Sequence, residues 1–183
     1  MTRSGIVLAG GEGRRMGGAY KPLVHWRERP LISWALDALA PPLCDERIVA
    51  HGPAPLRADL VAVVGDRARF VADEGAGPAS GLRAGAEAAK GEWLVVAPAD
   101  SPNLTAALYE ELLAAVGQRE GACALADGVA NALVGVYRRD ALLATLWSGA
   151  RSPREAVSRM DVVAVPVSAW DVRDVDSPDD LRS

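Results

Sequence analysis

The chain has 183 residues, half of them hydrophobic, with 20 basic against 24 acidic side chains and a formal net charge of −4. That length suits a single domain over residues 1–183 with a sizeable core. The apolar content excludes a disordered chain. The lack of basic excess speaks against wholesale coating of nucleic acid, and no apolar run approaches the roughly 20 residues of a membrane-spanning helix. The opening Met1-Thr2-Arg3-Ser4-Gly5 leads into an apolar run too short, and too soon rich in glycine, for a signal peptide. Cys44 and Cys123 are far apart and lack metal-ligand spacing. The expectation is a cytoplasmic protein with two reduced thiols and no membrane partner.

In chain order, Gly5 to Ala9 reads as a buried strand that runs into a glycine-rich loop. Ile32, Ala35, Leu36 and Leu39 repeat at helical spacing after Pro30, and Pro41-Pro42 stops them. Arg47 to His51 reads as a second strand. Leu56 to Val64 is ambiguous between helix and strand. Arg69 to Asp73 is a strand, and Ser80 to Lys90 is an alanine-rich helix closed by Gly91. Trp93 to Ala97 is the clearest buried strand and leads into Asp100. Thr105 to Val116 is helical, Ala122 to Ala126 and Leu133 to Tyr137 are strands, and Arg139 to Trp147 and Pro153 to Met160 are helices. Val162 to Val167 is a strand, and the tail ends in a helical turn with Ser177 as N-cap and Pro178 in the first helical position. Strands alternating with helices predict an α/β fold, a mostly parallel sheet with helices on both faces. Ligands of such sheets bind at the carboxyl ends of the strands. The loops after Ala9 and after Ala97 both lie there.

The first of these loops carries Gly10, Gly11, Gly13, Gly17 and Gly18 with Arg14, Arg15 and Lys21. Glycines let backbone N–H groups approach an anion closely, and the three cations add charge, so the loop reads as a polyphosphate cradle. It is not a P-loop, because no Gly-Lys-Ser/Thr follows at the required spacing. Nor is it the dinucleotide fingerprint, whose third glycine would fall on Met16.

The run Leu8-Ala9-Gly10-Gly11-Glu12-Gly13-Arg14-Arg15-Met16-Gly17-Gly18, followed by Lys21-Pro22-Leu23, resembles the signature of the MobA-like nucleotidyltransferases. Within that group it is most similar to the molybdenum cofactor guanylyltransferases. Three further segments carry the same resemblance: Asp73 with Gly77-Pro78-Ala79-Ser80-Gly81-Leu82, Ala97-Pro98-Ala99-Asp100-Ser101-Pro102, and Asp174-Val175-Asp176-Ser177-Pro178. The resemblance implies a Rossmann-like three-layer α/β/α sandwich of the nucleotide-diphospho-sugar-transferase type. It implies Mg²⁺ as cofactor, GTP and molybdopterin as substrates, and transient contact with cofactor-biosynthesis or acceptor proteins. By the same resemblance, Leu8, Ala9, Gly10, Gly11, Gly13, Arg15, Lys21, Asp73, Gly77 and Asp100 bind the nucleotide. Arg15, Lys21 and Asp100 carry the catalysis, and Asp100 with Asp174 or Asp176 holds the metal. A cytidylyltransferase for molybdopterin, an enzyme acting on cobinamide phosphate or a sugar phosphate, and a nucleotide-binding docking module are the rival readings. His25 and His51 lack metal or nucleophile partners and are expected in surface or loop roles. The Trp residues are expected to pack, with Trp26 and Trp147 as candidates to border a pterin. Arg138-Arg139 and the arginines from Arg151 to Arg159 read as solvated faces, with contact to an anionic acceptor as the alternative.

Overall fold

The computed structural model describes residues 1–10, 12–13, 19–52, 55–75, 77–177 and 179–182. Among these, a seven-stranded sheet is assembled from β1 (Arg3–Leu8), β6 (Glu46–His51), β7 (Arg69–Ala72), β8 (Trp93–Pro98), β9 (Gly121–Ala126), β10 (Val129–Arg138) and β11 (Val162–Pro166). Its order is β11-β9-β10-β8-β1-β6-β7. Four of the neighbouring pairs are parallel, and only the two made by β10 are antiparallel. The chain winds outward from β1 through β6 and β7, then returns to β8 on the other side of β1. The gap between β1 and β8 is thus the topological switch point, where loops diverge and leave a crevice.

The apolar strands bury both faces, as expected when helices cover each side of a parallel sheet. One face holds Val7, Val49, Val95 and Ala97 against α1 (Leu31–Ala38), α2 (Ala58–Val64) and α4 (Ala106–Ala115), through Leu36, Leu60 and Leu112. The other holds Ile6, Ile48, Leu94 and Val96 against α3 (Pro78–Ala88), α5 (Arg139–Trp147) and α6 (Pro153–Ser158), through Leu82, Leu142 and Val157. Alternation along each strand therefore sorts Ile6 from Val7 and Leu94 from Val95 onto opposite layers. The three-layer sandwich is as anticipated. The ambiguous stretch after Leu56 resolves as the helix α2, with Leu60 and Val64 four apart on its buried side.

Three features depart from the sequence reading. A hairpin precedes α1: β4 (His25–Trp26) pairs with β5 (Arg29–Pro30) across Arg27 and Glu28, both at positive φ. Turns with two such residues normally signal themselves by glycine or asparagine, so this one leaves no mark in the sequence. The tail carries the second departure. The Asp180 carboxylate accepts from the backbone N–H of Asp176 and of Ser177 and from the Ser177 hydroxyl. Ser177 therefore donates to a carboxylate, which can accept several bonds at once, while its carbonyl accepts from the Asp180 N–H. Pro178 lies outside the described residues. Third, His51 ends β6 and is buried against Phe70, not placed at the surface. Two short strands, β2 (Glu12–Gly13) and β3 (Ala19–Tyr20), pair with each other beside β1.

Candidate active site

Lys21 stands in a short 3-10 turn directly after β3, and Asp100 two residues beyond β8. The Lys21 Nζ donates to Asp100 Oδ2 at 2.5 Å and to Asp176 Oδ1 at 2.6 Å. The Lys21 side chain is only 16% exposed and that of Asp100 25%, whereas Asp176 remains 58% exposed. Burial pulls the ammonium pKa down, but the bonds from Asp100 and Asp176 outweigh it and leave the pKa raised, so Lys21 is a fixed cation.

The tail reaches this position because Val175 is buried with Trp26 and Leu31 in a small apolar cluster. Its backbone N–H also donates to the Asp100 carbonyl at 2.9 Å. With Val175 pinned inward, Asp174 and Asp176 flank it. Asp176 meets Lys21, while Asp174 Oδ1 accepts from the buried Ser101 hydroxyl. Asp174 counts as exposed by surface area, yet protein crowds its carboxyl. That desolvation is the first cause raising its pKa, and the nearby Asp100 and Asp176 carboxylates add to it. Trp26 is thus a packing residue, as expected, edge-on to Trp34 with ring centroids 5.2 Å apart.

On the other side of β1, Ala9 donates its N–H to the Ala50 carbonyl and accepts at its own carbonyl from the Tyr20 hydroxyl at 2.7 Å. Desolvation, with Asp59 in the same direction, outweighs the lowering effect of Arg57 and pushes the Tyr20 phenol up to about 12, so it remains a donor. The Leu8 carbonyl takes the Ala99 N–H. Most backbone groups of Leu8 and Ala9 singled out from the sequence are therefore engaged within the protein, and open backbone begins at Gly10. Asp73 is buried just past β7. Its Oδ1 accepts from Gly75 N–H at 2.6 Å, and its Oδ2 faces Gly10 and Gly81. Gly77 caps α3 at φ +86°, a conformation that favours glycine. Gly13 is described through its pairing in β2 alone, and Gly11, Arg14, Arg15, Met16, Gly17 and Gly18 lie outside the described residues. Among the sequence-singled residues, Lys21, Asp100 and Asp176 converge in direct contact, with Asp174 one residue removed. Asp73 and Gly77 form a separate edge across β1.

A profile for the MobA-like NTP transferase domain matches residues 5–163. The chain belongs to the MobA-like NTP transferase family. It is a nucleotidyltransferase. It is 34% identical over 176 residues to a molybdenum cofactor guanylyltransferase of Pseudomonas paraeruginosa, covering 92% of this chain and 86% of the relative. A molybdenum cofactor guanylyltransferase of Ectopseudomonas mendocina is 35% identical, with 92% and 83% covered. Among solved structures, molybdopterin-guanine dinucleotide biosynthesis protein A of Archaeoglobus fulgidus superposes with a TM-score of 0.71 at 24% identity, covering 98% of this chain and 95% of its own. A 4-diphosphocytidyl-2C-methyl-D-erythritol synthase superposes at 0.78 with 16% identity, covering 99% and 95%. At these identities the likeness establishes the nucleotide-diphospho-sugar-transferase fold. No helix among the described residues is long and apolar enough to cross a membrane.

Proposed function

We propose that this nucleotidyltransferase transfers GMP from GTP to the terminal phosphate of molybdopterin and releases pyrophosphate. The observation that carries the reading is the meeting of Lys21 with Asp100 and Asp176 at the switch point. It occurs in a chain whose relatives, 34–35% identical over 92% of its length, are named molybdenum cofactor guanylyltransferases.

In this reading a phosphate oxygen of the acceptor attacks the α-phosphorus of GTP. The bond from that phosphorus to the bridging oxygen of the departing pyrophosphate breaks. The attacking oxygen is already anionic, so no side chain need remove a proton. The barrier is the approach of two anions and the charge growing on the leaving group, and the protein's work is positioning and charge stabilisation. Lys21 supplies its fixed positive charge at the α-phosphate. Gly10, Gly11 and Gly13 offer backbone donors to the triphosphate, and Arg15 a guanidinium to its outer phosphates. Asp73 and the Gly77 turn border the nucleoside, beside Leu8 and Ala9. The hard carboxylate oxygens of Asp100, with Asp176 or Asp174, fit a hard divalent cation. Mg²⁺ held there would neutralise phosphate charge. Among the described residues no group of three or more His, Cys, Asp or Glu side chains is assembled as metal ligands. The proposal places the reaction in the cytoplasm, where the buried, unpaired thiols of Cys44 and Cys123 stay reduced.

The test is pyrophosphate release with Mg²⁺, molybdopterin and each nucleoside triphosphate in turn. Release with GTP is expected. Release with CTP in preference to GTP overturns the guanine assignment, and nucleotide binding without release to any acceptor points to a docking module.

A further inference from the structure

The glycine-rich segment starts after Ala9 and runs to Tyr20, and one hydrogen bond joins these two ends. The Tyr20 hydroxyl donates to the Ala9 carbonyl at 2.7 Å, across 11 positions of chain. Both partners are held independently of that bond. Ala9 gives its N–H to the Ala50 carbonyl on β6. Tyr20 pairs through its backbone with Glu12, and the Arg57 guanidinium lies over its ring, 5.2 Å from the centroid. Asp59 grips that guanidinium with both oxygens, at 2.9 and 2.6 Å.

The ring alone would satisfy this packing. What the hydroxyl adds is a fixed orientation for the peptide that follows Ala9. The Ala9–Gly10 peptide is trans, so its carbonyl and its N–H point in opposite directions. Whatever holds the Ala9 carbonyl therefore aims the Gly10 N–H, here away from Tyr20. That N–H has no hydrogen-bond partner among the described residues. A peptide beside glycine otherwise turns with little steric restraint, so one bond decides its direction.

At the other end, Tyr20 is followed directly by Lys21, whose Nζ is fixed by Asp100 and Asp176. The same bond thus sets the first open backbone donor of the segment and the ammonium in one frame. Resting on the function proposed above, we infer that Tyr20 is a positioning residue of the triphosphate site. Its hydroxyl turns the Gly10 N–H toward the phosphates and ties that donor to Lys21. An anion gains most from donors already aimed at it, since nothing in the protein has to rearrange first.

The experiment is equilibrium dialysis of GTP, and of guanosine, which lacks the phosphates, against wild type, Tyr20→Phe and a control. The control is Tyr137→Phe. Tyr137 is fully buried, and its hydroxyl donates to the Ala132 carbonyl at 2.9 Å. It closes a bulge in β10, where Asn131 pairs with Ala124 but Gly135 with Cys123, leaving Ala132 to Val134 as extra residues. Each variant therefore takes a tyrosine hydroxyl from a backbone carbonyl, one at the glycine-rich segment and one in β10. Dialysis is run below the lowest of the three melting temperatures.

Tyr20→Phe is expected to raise the Kd for GTP about tenfold, the scale of one hydrogen bond to a charged group, and to leave that for guanosine unchanged. Tyr137→Phe leaves both at their wild-type values. Wild-type GTP affinity in Tyr20→Phe overturns the assignment. An equal loss for GTP and guanosine, or an equal loss in Tyr137→Phe, overturns it too, because either shows a general structural role. A wild-type protein that binds no GTP overturns the functional reading, and the assignment with it.

Discussion

The Lys21 ammonium lies between the carboxylates of Asp100 and Asp176, at 2.5 and 2.6 Å, joining residues 79 and 155 positions apart in the chain. The lysine proposed to serve the phosphates thus touches an oxygen of each of two carboxylates proposed to hold the metal. If a triphosphate draws Lys21 onto its own oxygens, those carboxylate oxygens are freed, and metal and nucleotide binding are expected to be coupled.

Lys21→Met tests this arrangement in two opposite directions. Without nucleotide, two carboxylates lose their counterion, and Mn²⁺ affinity measured by electron paramagnetic resonance rises severalfold over wild type. With substrates present, turnover falls by about 10²–10³, the scale for removing one positioned charge-stabilising group. A variant that binds Mn²⁺ more weakly in the absence of nucleotide contradicts the competition. One that keeps full turnover contradicts the catalytic role.

Asp174 gives a pH dependence whose sign follows from its raised pKa. The folded state favours the protonated form. That contribution to stability is full below the unfolded value of about 3.9 and is lost as pH rises through the raised folded value. At neutral pH the ionised carboxylate is then a net cost, held near Asp100 and Asp176. Asp174→Asn keeps a neutral oxygen for the Ser101 hydroxyl and removes the charge. Thermal unfolding in EDTA should show the variant melting above wild type at pH 7, with the gap shrinking toward pH 4. A lower melting temperature at pH 7 means that attraction to Lys21 outweighs both causes.

Tyr137→Phe removes the bond that closes the β10 bulge. Burial raises the Tyr137 phenol well above its ordinary pKa, so its hydroxyl donates at every working pH. Its loss leaves the buried Ala132 carbonyl without that donor and costs about 1–3 kcal/mol, or roughly 2–4 °C per kcal/mol in a domain of this size. Calorimetry checks the stability, and dialysis should show GTP binding intact because the bulge lies on the other side of β8 from Asp73. Wild-type stability in the variant would show that the bulge is held by backbone pairing alone.

The sequence by itself determined most of the fold and the kind of site. Apolar runs such as Trp93 to Ala97 and helical spacing such as Ile32, Ala35 and Leu36 are local patterns. They set which faces must be buried whatever else the chain does. That the loops after β1 and β8 lie together was legible too, since parallel strands present their carboxyl ends side by side. Tertiary structure alone decided which aspartate of the tail meets Lys21. That choice is made by Val175, drawn into the cluster with Trp26 and Leu31, which turns Asp176 toward the ammonium and Asp174 toward Ser101. It also decided the hairpin at Arg27 and Glu28, whose positive φ values no glycine announces, and the bulge at Ala132 to Val134. Such features depend on partners scores of residues away. Periodicity reports only what a segment must bury; the order of strands in the sheet decides what it is buried against.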